Sequence, residues 1–335
     1  MTFLEKLKTA YETKAVDEKN YRTIASLYKS YVHALQTDHL DMMDYESIFE
    51  SFLQFVTEQI AHPYQFESFH KKITKPYNYY KFGMDFLRPL VNKKKSRIFK
   101  IENVKKMTQQ LEQGDNIILF ANHQTEVDPQ LMSLALEETY PEFAGEVIFV
   151  AGNRVVSDPM AIPFSMGCNL LCIYSKRHID NPPEKKAEKQ HYNQRTMKRL
   201  KELFCQGGKC IYVAPSGGRD RRNLDGEIEI ASFDPHSIEI FRLIAKQAKR
   251  PAHFYPLALA TFEILPPPPK IEKEIGEPRW AKRKGIFFYF GDEMQLGCLG
   301  DADRQNRHAK RRARAIYIWN VIRENYATIK RGFLK

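Results

Sequence analysis

A histidine and an aspartate, His123 and Asp128, lie five positions apart, between an apolar segment at residues 116–120 and an apolar-periodic segment that begins after Pro129. Five helical residues turn a side chain through about 500°, or about 140° net, so the two could not face each other on one helix. They meet only if residues 123–128 form a turn between a strand and a helix. A histidine oriented by a carboxylate is a general base that works near neutral pH. The residues alone equally allow an Asp128 that caps the helix, beside an ordinary loop histidine.

Two basic loops follow predicted strands in the same way. One follows the strand predicted at residues 170–174, and the other follows the strand predicted at residues 209–213 and contains two adjacent glycines. Ligands of open α/β sheets bind where strands end, glycines let backbone amides approach a ligand, and guanidinium groups suit forked recognition of a phosphate. The first loop contains Lys176, Arg177 and His178, and the second contains Arg219, Arg221 and Arg222. Solvated loops are the alternative for each cluster, yet two clusters in the same sheet as a His/Asp pair support one another.

The remaining pattern predicts the fold that positions these loops. Short apolar segments alternate with helical ones from residue 77 onward, which is typical of an α/β fold with a mixed, largely parallel sheet flanked by helices. The predicted strands are residues 116–120, 147–150, 170–174, 209–213, 254–260 and 286–290. Residues 1–76 show only helical periodicity and predict a small N-terminal bundle of about four helices. We therefore predict a helical bundle domain at residues 1–76 and an α/β domain at residues 77–335.

The net charge of +11 indicates an acidic partner: nucleic acid, anionic lipid, a phosphorylated substrate or an acidic protein. No apolar run reaches the roughly 18 residues of a membrane span, and the first residues lack a signal-peptide pattern. The five cysteines show neither zinc-ligand nor C-x-x-C spacing, which favours reduced thiols. The sequence thus predicts a cytoplasmic protein, or a plastid-stroma protein whose leader was removed, without a metal ion.

The chain resembles the glycerolipid acyltransferases that carry an H-x4-D motif, in particular the soluble plastid-type glycerol-3-phosphate acyltransferases. Four stretches carry the resemblance: N-H-Q-T-E-V-D-P at residues 122–129, I-Y-S-K-R-H-I at 173–179, A-P-S-G-G-R-D-R at 214–221, and Y-P-L-A-L at 255–259, which leads to the prolines at 266–268. The likeness covers roughly residues 80–300. One position departs from the family pattern, because Arg177 stands where a lysine is expected.

The resemblance implies a glycerol-3-phosphate 1-O-acyltransferase that takes a fatty acyl group from an acyl carrier protein or CoA thioester and forms lysophosphatidic acid. His123 would be the general base, and Asp128 would orient its imidazole. The phosphate of the acceptor would be bound by Arg177, His178, Arg219 and Arg221. Neither a cofactor nor a metal is implied. The expected partners are the two substrates, with peripheral contact to an anionic membrane and no nucleic acid.

Three other functions stay open on the sequence. Ser216 lies in a stretch that approximates the nucleophile elbow of a serine hydrolase, although such an elbow should lead into a helix. A basic stripe near the C-terminus would fit a module that binds nucleic acid or anionic lipid; its members are Arg304, Arg307, Arg311 and Arg314. Within the resembling superfamily, the acceptor could be 1-acylglycerol 3-phosphate, although enzymes of that kind usually carry membrane segments.

Overall fold

The computed structural model describes residues 1–175, 179–270, 275–297 and 307–333 of the chain. Its strands are β1 (Phe69–His70), β2 (Arg97–Phe99), β3 (Asn116–Ala121), β4 (Ile148–Gly152), β5 (Asn169–Ile173), β6 (Cys210–Val213), β7 (Arg221–Arg222), β8 (Ile228–Glu229), β9 (Ala252–Ala260) and β10 (Phe287–Phe290). Eight of them form one sheet in the order β1-β5-β4-β6-β3-β9-β10-β2, and β7 pairs with β8 as a separate antiparallel ribbon.

The helices within the described residues are α1 (Phe3–Glu12), α2 (Glu18–Gln36), α3 (Glu46–Ala61), α4 (Tyr79–Leu87), α5 (Ile101–Glu112), α6 (Asp128–Leu136), α7 (Pro141–Glu146), α8 (Ile162–Met166), α9 (Lys186–Gln206), α10 (Pro235–Gln247) and α11 (Arg307–Phe333). Local sequence explains several of their starts. Thr2 and Glu5 form a reciprocal capping box at α1, and the side chains of Asp17 and Asp234 cap α2 and α10. Within the described ranges, no helix combines the length and the apolar character that crossing a bilayer requires.

The predicted fold class is confirmed. Strands β3, β4, β5, β6 and β9 run parallel to one another, while β1 and β10 pair antiparallel with β5 and β9. The predicted strands coincide with these observed strands to within two residues. Because five neighbouring strands share one direction, their carboxyl ends and the loops that follow them lie at one edge of the sheet.

The sheet is covered on both faces, which produces two hydrophobic cores. Side chains of β3 alternate between them: Ile117 and Leu119 belong to the core shared with α1–α6, whereas Ile118 and Phe120 belong to the core under α9, α10 and α11. All six residues of β3 are buried. A strand that is buried on both faces gives a continuous apolar run rather than an alternating one, and the sequence of β3 has this form.

Residues 1–76 contain three α-helices, a short 3-10 helix at Met42–Tyr45 and strand β1, which pairs with the edge of the main sheet at β5. The apolar faces of α1, α2 and α3 join the same core as one face of the sheet. An N-terminal group of helices is thus present, as predicted. The division into two domains at residue 76 stays a prediction.

Candidate active site

His123 and Asp128 meet in the turn that joins β3 to α6, where His123 Nδ1 lies 2.8 Å from Asp128 Oδ2. Asp128 does not cap its own helix. Instead its carboxylate accepts the backbone N–H groups of Gln124, at 2.9 Å, and Thr125, at 3.3 Å, both earlier in the turn. The helix-capping alternative is therefore wrong. The contact that the five-residue spacing predicted is formed, because the chain turns back on itself between strand and helix.

The Asp128 carboxylate is buried and further held by the Thr261 hydroxyl, which donates to Oδ1 at 2.6 Å. An ionised carboxylate only accepts hydrogen bonds, so the facing Nδ1 of His123 carries a hydrogen and the lone pair of the neutral ring lies on Nε2. The His123 side chain remains 29% exposed, against 1% for Asp128. The pair therefore presents a proton acceptor to solvent while its orienting carboxylate is withdrawn from it.

Replacing Thr261 by valine is expected to lower the kcat of the reaction in which His123 acts as a base about tenfold, because it removes a hydrogen bond that holds the charged Asp128 carboxylate in place. The KM should stay within about twofold, since Thr261 is buried beneath the dyad. Steady-state kinetics on Thr261→Val, with Thr261→Ser as the matched variant that keeps the hydroxyl, would measure this. Equal activity of the two variants would contradict a positioning role for the hydroxyl.

The loop after β6 contacts the His123 turn directly. The backbone N–H of Asp220 donates to the His123 carbonyl at 2.6 Å. The Asp220 carboxylate accepts the amide groups of Asn122, at 2.8 Å, and Gln124, at 3.2 Å, the two residues that flank His123. Those amides also bond the backbone at the end of β9, Asn122 to Leu259 and Gln124 to residues 261 and 262. The ends of three adjacent strands are thus joined around His123.

Asp220 is fully buried, and burial raises the pKa of its carboxyl from 3.8 to about 6, against the opposing effect of hydrogen bonds from Asn122, Ala231 and Gln124 and of His123. The folded protein therefore binds this proton more tightly than the unfolded chain does. The resulting contribution to stability is complete below about pH 4 and is lost as the pH rises through about 6.

We expect the stability of the native protein to fall relative to that of Asp220→Asn between about pH 4 and pH 6, by at most about 1.4 kcal/mol per pH unit. Urea unfolding followed by circular dichroism at each pH measures both free energies of unfolding. Asp225→Asn is the matched control, because Asp225 is exposed in the neighbouring turn. Parallel pH profiles for the native protein and Asp220→Asn would contradict the raised pKa.

Arg219 and Arg221 flank Asp220 and therefore lie beside the His123 turn. The Arg219 guanidinium is engaged by Glu277 through two contacts, of 2.5 and 2.7 Å, and its side chain is 15% exposed. Burial would raise the pKa of Glu277, but the charges of Arg219, Arg279 and Arg154 and the hydrogen bond from Arg219 lower it, so Glu277 stays ionised. The Arg221 guanidinium donates to the carbonyls of its own turn, Arg219 O at 3.1 Å and Asp220 O at 3.0 Å.

The other two predicted anion-binding residues, Arg177 and His178, lie outside the described residues. The described part of their loop ends at Ser175, directly after β5 and at the same sheet edge as the His123 turn. Their contribution to the site stays a prediction. Among the residues that the structure describes, no group of three or more His, Cys, Asp or Glu side chains is arranged to hold a metal ion.

An apolar cavity of about 100 Å³ opens beside His123 and Asp128. Its walls include residues of β4, β5 and α8, among them Phe149, Leu170 and Phe164. Phe164 packs in turn against three phenylalanine rings of the N-terminal helix α3 and of the following helix α4: Phe52, Phe82 and Phe86, at centroid distances of 5.9, 5.4 and 5.2 Å. A long apolar group bound beside the dyad would therefore be enclosed by the core that the N-terminal helices share.

Ser216 lacks the surroundings of a hydrolase nucleophile. Its hydroxyl donates to the Gly218 carbonyl at 2.8 Å, and the chain continues through a turn into strand β7 rather than into a helix. A nucleophile elbow places its serine between a strand and a helix. The local structure thus disfavours the serine hydrolase that the sequence left open.

Several residues that build the site carried no assigned role in the sequence. Asn122, Gln124 and Asp220 are direct neighbours of predicted site residues, and Thr261 is the first residue after β9. The rule that ligands bind at strand ends could have selected Thr261. Glu126, Asp158, Glu277 and Arg279 form ion pairs that gather distant parts of the chain. Nothing in one sequence marks such contacts.

The His123 turn and the neighbouring loop of Arg219 lie in a part of the chain that is similar to acyltransferases. Residues 99–260 match the family model described as Acyltransferase. The match begins just before α5 and ends with β9, and thus includes the His123 turn and the loop of Arg219.

The predicted resemblance to plastid-type glycerol-3-phosphate acyltransferases is also confirmed. The chain is 42% identical over 284 residues to the chloroplastic glycerol-3-phosphate acyltransferase of Spinacia oleracea, covering 83% of this chain and 59% of that protein. It is 41% identical to the enzyme of the same name from Carthamus tinctorius, over 71% of this chain and 52% of that protein. For the one from Arabidopsis thaliana the identity is 37%, over 80% and 58%. The chain thus spans between 52% and 59% of the length of these relatives.

A solved structure, that of the 1-acyl-sn-glycerophosphate (LPA) acyltransferase PlsC from Thermotoga maritima, is 15% identical and covers 75% of this chain and 78% of that chain. Its TM-score is 0.39, which is too low to support a statement about this chain.

Proposed function

We propose that the protein is a glycerol-3-phosphate 1-O-acyltransferase, which transfers a fatty acyl group from a thioester to the sn-1 hydroxyl of glycerol 3-phosphate and yields lysophosphatidic acid. The observation that carries the proposal is the contact of His123 with buried Asp128, bonded through Asp220 to the loop that holds Arg219 and Arg221. A general base next to cationic side chains suits an acceptor that bears both a hydroxyl and a phosphate. The names of the relatives support the same activity.

In the proposed mechanism His123 Nε2 takes the proton of the sn-1 hydroxyl as its oxygen attacks the thioester carbonyl. The tetrahedral intermediate then collapses, the C–S bond breaks, and the leaving sulfur receives the proton from the imidazolium. Asp128 stabilises the imidazolium and keeps the ring in the tautomer that the first step needs, because its carboxylate is fixed by backbone amides and by Thr261. The acyl group moves directly from sulfur to oxygen, without an acyl-enzyme.

The acceptor phosphate is bound, in this proposal, by Arg219, Arg221, Arg177 and His178. Arg219 retains capacity for an anion because a guanidinium has five N–H donors, of which Glu277 engages only part. The acyl chain of the donor lies in the apolar cavity beside the dyad. In this proposal the thioester carbonyl lies between the cavity, which binds the acyl chain, and the loop of Arg219, which binds the phosphate.

The proposal is tested by an acyl-transfer assay with radiolabelled acyl donor, in which the lipid product is identified. We expect lysophosphatidic acid from glycerol 3-phosphate, and little phosphatidic acid when 1-acylglycerol 3-phosphate is supplied. Predominant phosphatidic acid would indicate the alternative acceptor. Release of free fatty acid in the absence of acceptor, at the same rate as the transfer, would indicate a hydrolase. Either result would overturn the proposal.

The proposal also covers the acyl donor and the cellular compartment. Acyl carrier protein and CoA thioesters are both proposed as donors, and the ratio of their kcat/KM values in the same assay ranks them. The three relatives are named chloroplastic. We propose that the protein acts in the plastid stroma or in the cytoplasm, because both compartments contain water-soluble glycerol 3-phosphate. Binding of the protein to anionic vesicles, measured by co-sedimentation, tests the proposed peripheral membrane contact.

A further inference from the structure

A buried arginine outside the predicted site residues lies at the centre of an ionic cluster beneath the His123 turn. The Arg279 side chain is 5% exposed and its guanidinium contacts two carboxylates, Glu126 and Asp158, with NH2 at 3.0 Å from an oxygen of each. Its NH1 donates to the Glu277 carbonyl at 3.2 Å. Burial alone would lower the pKa of Arg279, but the two carboxylates raise it, so the guanidinium stays charged.

The three acidic residues that contact Arg279 lie in different segments around the candidate site. Glu126 lies inside the turn between His123 and Asp128 and lines the apolar cavity. Asp158 follows β4 and accepts the backbone N–H groups of Met160, at 2.9 Å, and Gly276, at 3.1 Å. Glu277 contributes its carbonyl to Arg279 and its carboxylate to Arg219. One guanidinium therefore connects the turn of the dyad with the segment that holds the phosphate-binding arginine.

We infer that Arg279 is a positioning residue, which fixes the His123–Asp128 turn through Glu126. The inference rests on the proposed function. Asp128 holds the two residues that follow His123, through the backbone N–H groups of Gln124 and Thr125. The next side chain, that of Glu126, is engaged by Arg279. Arg279 thus supports the half of the turn that leads into Asp128.

The geometry needs an arginine rather than any cation. Nε and NH2 contact the two oxygens of Glu126, while NH2 and NH1 reach Asp158 and the Glu277 carbonyl. A lysine ammonium keeps the charge but lacks the planar fork that spans such acceptors. Small displacements in a preorganised site are expensive, since a shift of about 1 Å can lower a rate about 100-fold.

The test compares Arg279→Lys with the matched control Arg314→Lys. Arg314 is also largely buried, at 14% exposure, and its guanidinium contacts Glu239 and the Leu296 carbonyl, away from the dyad. Both variants should lose thermal stability to a similar extent. We expect only Arg279→Lys to lower kcat, about tenfold, with glycerol 3-phosphate and equally with glycerol as acceptor, while the KM of the acyl donor is unchanged. Unchanged kcat, or equal losses in both variants, would overturn the inference.

A second variant covers the case in which Arg279→Lys does not fold. Glu126→Gln keeps the shape of the side chain but removes the charge that pairs with Arg279, and it should lower kcat in the same way. If both variants fold, the double variant should be no slower than the slower single one, because both changes break one connection. Additive losses of kcat in the double variant would contradict the inference that both substitutions act through the same contact between Arg279 and Glu126.

A spectroscopic measurement separates positioning from a general loss of stability. The Nδ1 hydrogen of His123, bonded to Asp128, should give a downfield proton resonance that is absent from His123→Ala. We expect this resonance to move or broaden in Arg279→Lys and to stay in place in Arg314→Lys; an unmoved resonance in Arg279→Lys would count against the inference. Failure of the native protein to acylate glycerol 3-phosphate would instead overturn the proposed function, whatever the variants do.

Discussion

His123→Ala is expected to lower kcat of acyl transfer by at least about 100-fold and by as much as about 10⁴-fold, the range that general-base catalysis contributes. The imidazole is held 2.8 Å from a buried carboxylate, and the substitution removes this proposed proton acceptor from the turn. The KM for glycerol 3-phosphate should stay within about twofold, because the proposed phosphate ligands are other residues. Steady-state kinetics with labelled acyl donor measure both quantities.

Asp128→Asn is the companion to this variant. It keeps the size of the side chain but replaces the carboxylate that keeps the His123 ring in its working tautomer, so kcat should fall by a comparable factor. The double variant should be no worse than His123→Ala, since the two residues act as one unit. A His123→Ala protein that retains near-native kcat would show that the proposed mechanism is wrong.

Arg219→Ala is expected to raise the KM for glycerol 3-phosphate about 10- to 100-fold, the effect of losing a hydrogen bond to a charged group. The change also leaves the buried Glu277 carboxylate without its arginine. We therefore propose to make it in a Glu277→Gln background as well, with Glu277→Gln alone as the reference. The ratio of KM values within each pair isolates the contribution of the guanidinium to phosphate binding.

An acceptor that lacks the phosphate provides the control for Arg219. Glycerol, supplied at high concentration, should be acylated by Arg219→Ala as fast as by the native protein, because the dyad and the apolar cavity are intact. A loss of activity that is the same for glycerol and for glycerol 3-phosphate would mean that Arg219 supports the fold of the site rather than the binding of phosphate.

The parts of the structure that the sequence predicted are those with local causes. Strand β3 follows from a continuous apolar run, and the His123 turn follows from spacing, since five residues cannot align two side chains on a helix. The approach of the loop with Arg219 to that turn follows from parallel strands, whose carboxyl ends share an edge. In each case a short segment and one geometric rule were sufficient.

The parts that escaped prediction depend on contacts between distant segments. The Arg279 guanidinium joins Glu126, 153 residues earlier, to Asp158, 121 residues earlier. In the sequence these charged residues cannot be distinguished from the exposed charges of a solvated loop. Only the fold shows that they are buried next to one another. The exposed Arg307 and the largely buried Arg314 lie on the same helical stripe of α11, and only the structure shows that Arg314 is bound to Glu239. The ion pairs of Arg279 and Arg314 thus depend on burial in the fold, which the residue types alone do not reveal.

Phe164 lines the cavity beside His123 and packs on rings that do not line it. Its ring contacts those of Phe52, Phe82 and Phe86, and close-packed protein interiors transmit changes in side-chain volume to their neighbours. A smaller or larger side chain at position 52 would therefore shift the Phe164 ring and change the shape of the cavity beside His123. For the proposed enzyme we therefore expect substitutions at position 52 to change the preferred length of the fatty chain while the residues that line the cavity stay the same.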